Sequence, residues 1–104
     1  MNIQKMMKEA QKMQERLAKA QTDLAQETLE VSSGGGKVTV SANGSGEITG
    51  IKISPEVVDP EDVELLEDLV LSGVREAQES ARKLQSDRMG QVTGGLGGLP
   101  GLGF

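Results

Sequence analysis

The stretch from Glu30 to Ser54 constrains the fold most, because its polar and apolar residues alternate with the period of a β-strand. Val38, Val40 and Ala42 fall on one face of such a strand, and Lys37, Thr39 and Ser41 on the other. That is the pattern of a strand with one face buried. Glycine-rich connections flank it, Gly34-Gly35-Gly36 before and Asn43-Gly44-Ser45-Gly46 after. Residues of this kind adopt the positive φ that tight hairpins demand, so Leu29 to Ser32 and Glu47 to Ile53 are expected as antiparallel neighbours. In the last of these, Ile51 and Ile53 share a parity that Ile48 breaks. Gly50 is the natural place for a bulge that restores a common face.

Helical patterns lie on both sides of the meander. From Asn2 to about Thr28, the apolar residues Ile3, Met6, Ala10, Met13, Leu17, Ala20 and Leu24 step by three and four, which makes a heptad seam. A helix of that length is about 40 Å long against about 20 Å for a six-residue strand, so roughly half of it must overhang the sheet and meet another helix there. Further on, Asp59-Pro60-Glu61-Asp62 has the marks of a helix start: an N-cap, a proline at the first position and acids in the first turn. Val63, Leu66, Leu69, Val70, Val74, Ala77, Ala81 and Leu84 continue it as an apolar face reaching to about Met89. Gly73, Ala77 and Ala81 recur every fourth residue and suit the close approach of a partner helix. The fold class is therefore α+β: a long helix, a three-stranded antiparallel β-meander and a second long helix. Residues 1–89 form a single domain, and the glycine-leucine repeats of residues 90–104 are expected to be a disordered tail. A small sheet with two edges and one covered face needs a partner, and a symmetric homodimer with two projecting helical arms follows from the element lengths. Which strand or face meets the twofold axis stays open.

Composition narrows the chemistry. With 104 residues, 36% hydrophobic and a single aromatic, the core must be small and aliphatic. The chain has no cysteine and no histidine, which removes disulfides, the usual zinc sites, thiol nucleophiles and imidazole acid-base catalysis. No catalytic activity, metal or cofactor is expected. The six acids between Asp59 and Asp68 spread around their helix and suit its N-terminal dipole better than a cation site. Ser33-Gly34-Gly35-Gly36-Lys37 lacks the spacing of a phosphate loop and runs into a strand, so it reads as a hairpin turn. Lys5, Lys8, Glu9 and Lys12 interrupt any apolar run at the start, so a soluble, cytoplasmic protein without membrane contact is expected.

Charge is unevenly distributed. Lys5, Lys8, Lys12, Arg16 and Lys19 fall within a sector of roughly 80° on the first helix, turned away from its apolar seam. Within residues 1–20 these five oppose only Glu9 and Glu15, a local excess of three positive charges in a chain of net charge −5. Two readings stand: a solvated face held by pairs such as Glu15 with Lys19, or a stripe that binds a polyanion.

Several segments taken together carry a family resemblance: Met7-Lys8-Glu9-Ala10-Gln11-Lys12-Met13-Gln14, Gly36-Lys37-Val38-Thr39-Val40 with Asn43-Gly44, Leu66-Glu67-Asp68-Leu69-Val70, then Met89 and Thr93-Gly94-Gly95. In that order and spacing, nearly the whole chain up to the tail resembles the YbaB/EbfC family of bacterial nucleoid-associated proteins. The resemblance implies a tweezers-shaped homodimer that binds duplex DNA, alters its conformation and contributes to nucleoid organisation or gene regulation. It places DNA contacts on the projecting helices, at Lys5, Lys8, Lys12 and Arg16 in the first and at Arg82, Lys83 and Arg88 in the second. Lys19 joins the first set through the stripe. A pI near 4.7 means that only the arms can attract the duplex while the acidic body repels it. The alternative function is an interaction module whose helical arms dock onto a DNA recombination or repair component.

Overall fold

The central alternation produces a sheet. In the computed structural model, which describes residues 2–93, β1 (Thr28–Ser33), β2 (Val38–Asn43) and β3 (Ile48–Ile53) pair antiparallel in the order β1-β2-β3. Val31 lies opposite Val40 and Leu29 opposite Ala42, so the apolar residues of β1 and β2 share a face. On β3, Ile53 faces Val38 and Ile51 faces Val40. The register then slips, because Ser41 faces Gly50 while Ala42 faces Ile48. One extra residue on β3 is the bulge expected beside Gly50, and it returns Ile48 to the apolar face.

Both turns are glycine-built. Gly34, Gly35 and Gly36 all have positive φ in the first, and Gly46 has it in the second. Asn43 holds the second turn, its Oδ1 accepting from the backbone N–H groups of Ser45 and Glu47 at 3.0 Å each. Gly44 has a different reason to be glycine: a Cβ there would lie 2.4 Å from the carbonyl oxygen of Leu24.

The helices are α1 (Ile3–Gln26) and α2 (Val63–Thr93). Asn2 caps α1, its Oδ1 accepting from the N–H of Lys5 at 3.1 Å. The start of α2 differs from expectation. Asp59-Pro60-Glu61-Asp62 closes as a turn, with the Asp62 N–H donating to the Asp59 carbonyl, and Asp62 instead accepts from Leu65 N–H at the helix start. A short 3-10 helix, η1 (Pro55–Val57), capped by Ser54, was also not foreseen. At its other end α2 runs past Gly90 to Thr93, so the expected domain limit at Met89 falls inside a helix. The expected tail lies mostly outside the described residues.

α2 is the helix that covers the sheet, and it lies across β1 and β2. Val38, Val40, Ala42, Ala77 and Ala81 are fully buried between them. Here the spacing of Gly73, Ala77 and Ala81 serves the sheet and not a partner helix: a Cβ on Gly73 would lie 2.7 Å from Cγ2 of Val40. β3 is left almost uncovered, and Ile51 and Ile53 remain 43% and 41% exposed despite facing the apolar side. α1 meets the sheet only at its C-terminal end, where Leu24 is buried beside Gly44. The molecule is accordingly elongated, 72 × 25 × 16 Å.

Candidate nucleic-acid interface

Two elements give α1 its position. Near its base, Leu24 and Gln21 lie along Gln85 and Met89 of α2, and Gln85 Nε2 donates to the Gly44 carbonyl at 2.9 Å. Just beyond the helix, Glu27 pairs with Arg88, a contact that is one-third exposed and ties the α1–β1 junction to α2. One turn further out, Arg16, Lys19, Ala20 and Asp23 face Arg88, Gln91 and Val92 across an open cleft of about 410 Å3. Beyond this point α1 projects without a neighbour among the described residues. Its seam therefore meets a helix as far as Ala20, while Ile3 and Met6 remain 67% and 56% exposed.

On that projecting helix, Lys5, Lys8, Lys12, Arg16 and Lys19 are all exposed. Among the described residues, the ion pairs are Lys37 with Glu56, Arg82 with Glu79 and Arg88 with Glu27. None involves the stripe, and Glu15 does not close onto Lys19. The first turn of α1 contains no acid, and Lys5 stands in it, at the positive end of the helix dipole. Such placement costs about 0.3–1 kcal/mol per charge. A sequence selected for helix stability alone would place acids there.

The second helix does not assemble a comparable surface. Arg82 is held by Glu79, 2.6 Å away. Lys83 leaves the helix about 100° from Arg82, so the two side chains point to different sides. Arg88 faces inward to Glu27. A signal for this was present, since Arg88 follows Leu84 by four residues and thus shares the apolar face of α2. Lys52, opposite Thr39, lies on the helix-free face of the sheet, and Lys37 is paired with Glu56.

Sequence reasoning also missed an apolar groove. Ile53, Leu66, Val70, Leu71 and Val74, with Glu67 at the rim, line an open depression of about 410 Å3 between β3 and α2. The strand pattern marks which face is apolar, but not where the covering helix crosses it. Among the described residues, no group of three or more acids converges to hold a metal ion, and no helix is long and apolar enough to cross a membrane.

Fold and site together define a class: elongated helix–meander–helix proteins that carry a row of unpaired cations on a projecting arm and present open surfaces. The chain belongs to the YbaB/EbfC DNA-binding family, whose model matches residues 1–96. It is 54% identical over 101 residues to a nucleoid-associated protein of Ruminiclostridium cellulolyticum, covering 97% of this chain and 88% of the relative. A nucleoid-associated protein of Acetivibrio thermocellus is 50% identical, covering 97% and 89%. One of Saccharopolyspora erythraea is 49% identical, covering 98% and 88%. The crystal structure of an uncharacterized protein from Helicobacter pylori shares the fold, with a TM-score of 0.76 over 93% of this chain and 99% of that one, at 22% identity.

Proposed function

We propose that the protein acts as a homodimer that holds duplex DNA through phosphate contacts from the basic sector of α1, alters the duplex and so contributes to nucleoid organisation or gene regulation. The observation that carries this reading is the alignment of five exposed cations, free of ion pairs among the described residues, on one face of a projecting helix. Phosphate contacts position a protein without reading sequence, and with a single aromatic in the chain there is little to stack on bases. Dimerisation is supported by the uncovered groove of β3 and α2. Exposed apolar surface of this kind, rimmed by polar residues, marks a contact face, and burying Ile53 and Leu71 against a second copy completes the core that one protomer leaves open.

A salt titration of binding to random duplex tests the proposal. Each phosphate neutralised on B-DNA lowers the slope of log affinity against log salt by about 0.9, and each arm is expected to contribute a few such contacts. Replacing Lys5, Lys8 and Lys12 with glutamine keeps helix propensity and spares the seam. Affinity should fall alike for unrelated sequences, and the salt slope should become shallower. Replacing Lys37 and Lys52 should matter less. If the helix variant binds as the parent does while the sheet variant loses binding, the grip lies on the body. Indifference of the parent to DNA, with one protein retained from a pull-down, points instead to an arm that docks onto a recombination or repair component.

A further inference from the structure

Asn43-Gly44 is the one place in the chain where an asparagine precedes a glycine, and the only other asparagine, Asn2, precedes the β-branched Ile3. An asparagine side-chain amide is open to attack by the backbone nitrogen that follows it, and glycine sets no side chain in the way, whereas isoleucine crowds the approach. In the fold that nitrogen is engaged. The Gly44 N–H donates to the Glu27 carbonyl at 2.9 Å, and the Gly44 carbonyl accepts from Gln85 Nε2 at 2.9 Å. Gly44 itself is buried against the carbonyl of Leu24. The side chain under attack is held as well, since Asn43 Oδ1 accepts from the N–H groups of Ser45 and Glu47. Leu24, Glu27 and Gln85, the three residues that enclose Gly44, all belong to the junction that seats the base of α1.

We propose that Asn43 is a deamidation site, kept latent while the base of α1 is seated and exposed each time that junction opens. The Gly44 nitrogen loses its proton to a solvent base and bonds to Asn43 Cγ, the Cγ–Nδ2 bond breaks, and ammonia leaves. The five-membered succinimide so formed takes up water and opens at either carbonyl, to aspartate or to isoaspartate, with no oxidation or reduction. Seating blocks the first of these events. A base cannot reach an N–H that donates to a carbonyl within a buried junction, and the turn bonds of Asn43 keep its Cγ from swinging onto Gly44.

The two products act differently on the junction. Aspartate keeps an acceptor oxygen where Asn43 has one, so the turn survives. Isoaspartate routes the main chain through the former side chain and adds one carbon between residue 43 Cα and the Gly44 nitrogen. Gly44 then no longer meets Glu27 on one side and Gln85 on the other in the native register, so a junction that has opened and reacted does not close as before. Conversion is a one-way record of arm opening, and the proposal stands independently of DNA binding.

Mass spectrometry of the full chain held at mildly alkaline pH tests it, following amide-to-acid conversion at residue 43 with Asn2 as the slow internal control. Local opening is fast beside this chemistry, so the rate follows the open fraction, and the folded parent should react roughly tenfold or more slowly than the same chain in urea. Q85A removes one hold on Gly44, and R88Q removes the tie between Glu27 and α2. Each should speed the reaction several-fold while circular dichroism shows the chain folded. G73A, which disturbs the contact of α2 with Val40, should leave the rate unchanged. A folded parent that reacts as fast as the urea-unfolded chain overturns the proposal, because the junction then protects nothing. So do folded Q85A and R88Q chains that react at the parent's rate, or G73A speeding the reaction as much as they do. Hydrogen exchange at the Gly44 N–H should be faster in isolated isoaspartate chains than in N43D, and equal exchange in the two overturns the effect on the junction.

Discussion

Gly73 and Gly90 sit in the same helix, yet the same substitution should act on them in opposite directions. At Gly73 an added Cβ lies 2.7 Å from Cγ2 of Val40, a buried β-branched side chain with no room to turn. Overpacking of about 1–3 kcal/mol then outweighs the gain of about 1 kcal/mol in helix propensity. G73A should lower the melting temperature by several degrees in a thermal scan. At Gly90 the added atom meets nothing within 4 Å, so only the propensity gain remains. G90A should raise helix content by circular dichroism and the melting temperature slightly. Equal effects at the two positions would show that α2 does not seat on β2 as described. A glycine's spacing is visible in a sequence. Whether the small residue faces a helix or a sheet depends on what the rest of the chain brings opposite it.

At the scale of the element, α1 shows a conflict between stability and charge. Lys5 occupies the first turn, where a helix favours anions, and Lys8 follows one turn on. Replacing both with glutamine should therefore increase the helicity of the arm by circular dichroism while weakening DNA binding. A variant that loses helicity shows that the lysines support the helix in some other way. The strands and both helices were legible because periodicity survives in any packing, and the bulge was legible because Ile48 and Ile51 disagree in parity. The start of α2 was not. Asp59 and Asp62 are both competent caps, and the choice fell to Asp62 because the Asp62 N–H closes a turn onto the Asp59 carbonyl. For the candidate site, the first-helix cations could be placed from sequence by angle alone. The fate of Arg88 depended on Glu27, 61 residues away, which periodicity does not report.

For the molecule as a whole, the uncovered groove has a measurable outcome. Ile53 and Leu71 are exposed in the single protomer, at 41% and 47%, so replacing them with serine should not unfold it. In sedimentation the parent should run as a pair of 11.0 kDa chains, and the double variant should shift toward one chain with its helix content kept. A fully folded parent sedimenting near 11.0 kDa removes the dimer. Charge is segregated on the same scale: residues 1–20 carry an excess of three positive charges, so the remainder carries an excess of eight negative ones. Such a molecule should approach a duplex arm first, with its body held off, and this orientation should weaken as salt rises.

The clamp at the base of α1, where Leu24 is buried beside Gly44 and Glu27 pairs with Arg88, makes the helix a cantilever. From Arg16, the last residue that faces α2, to Ile3 the free arm is about 20 Å long, so a tilt of roughly 10° displaces the tip by about 3 Å with no change in its own hydrogen bonds. That is a large fraction of the roughly 6 Å width of a B-form minor groove. On the proposed reading, an arm mounted in this way would adjust its gauge to the duplex, with the adjustment absorbed in a few side chains at the root while the sheet keeps its shape.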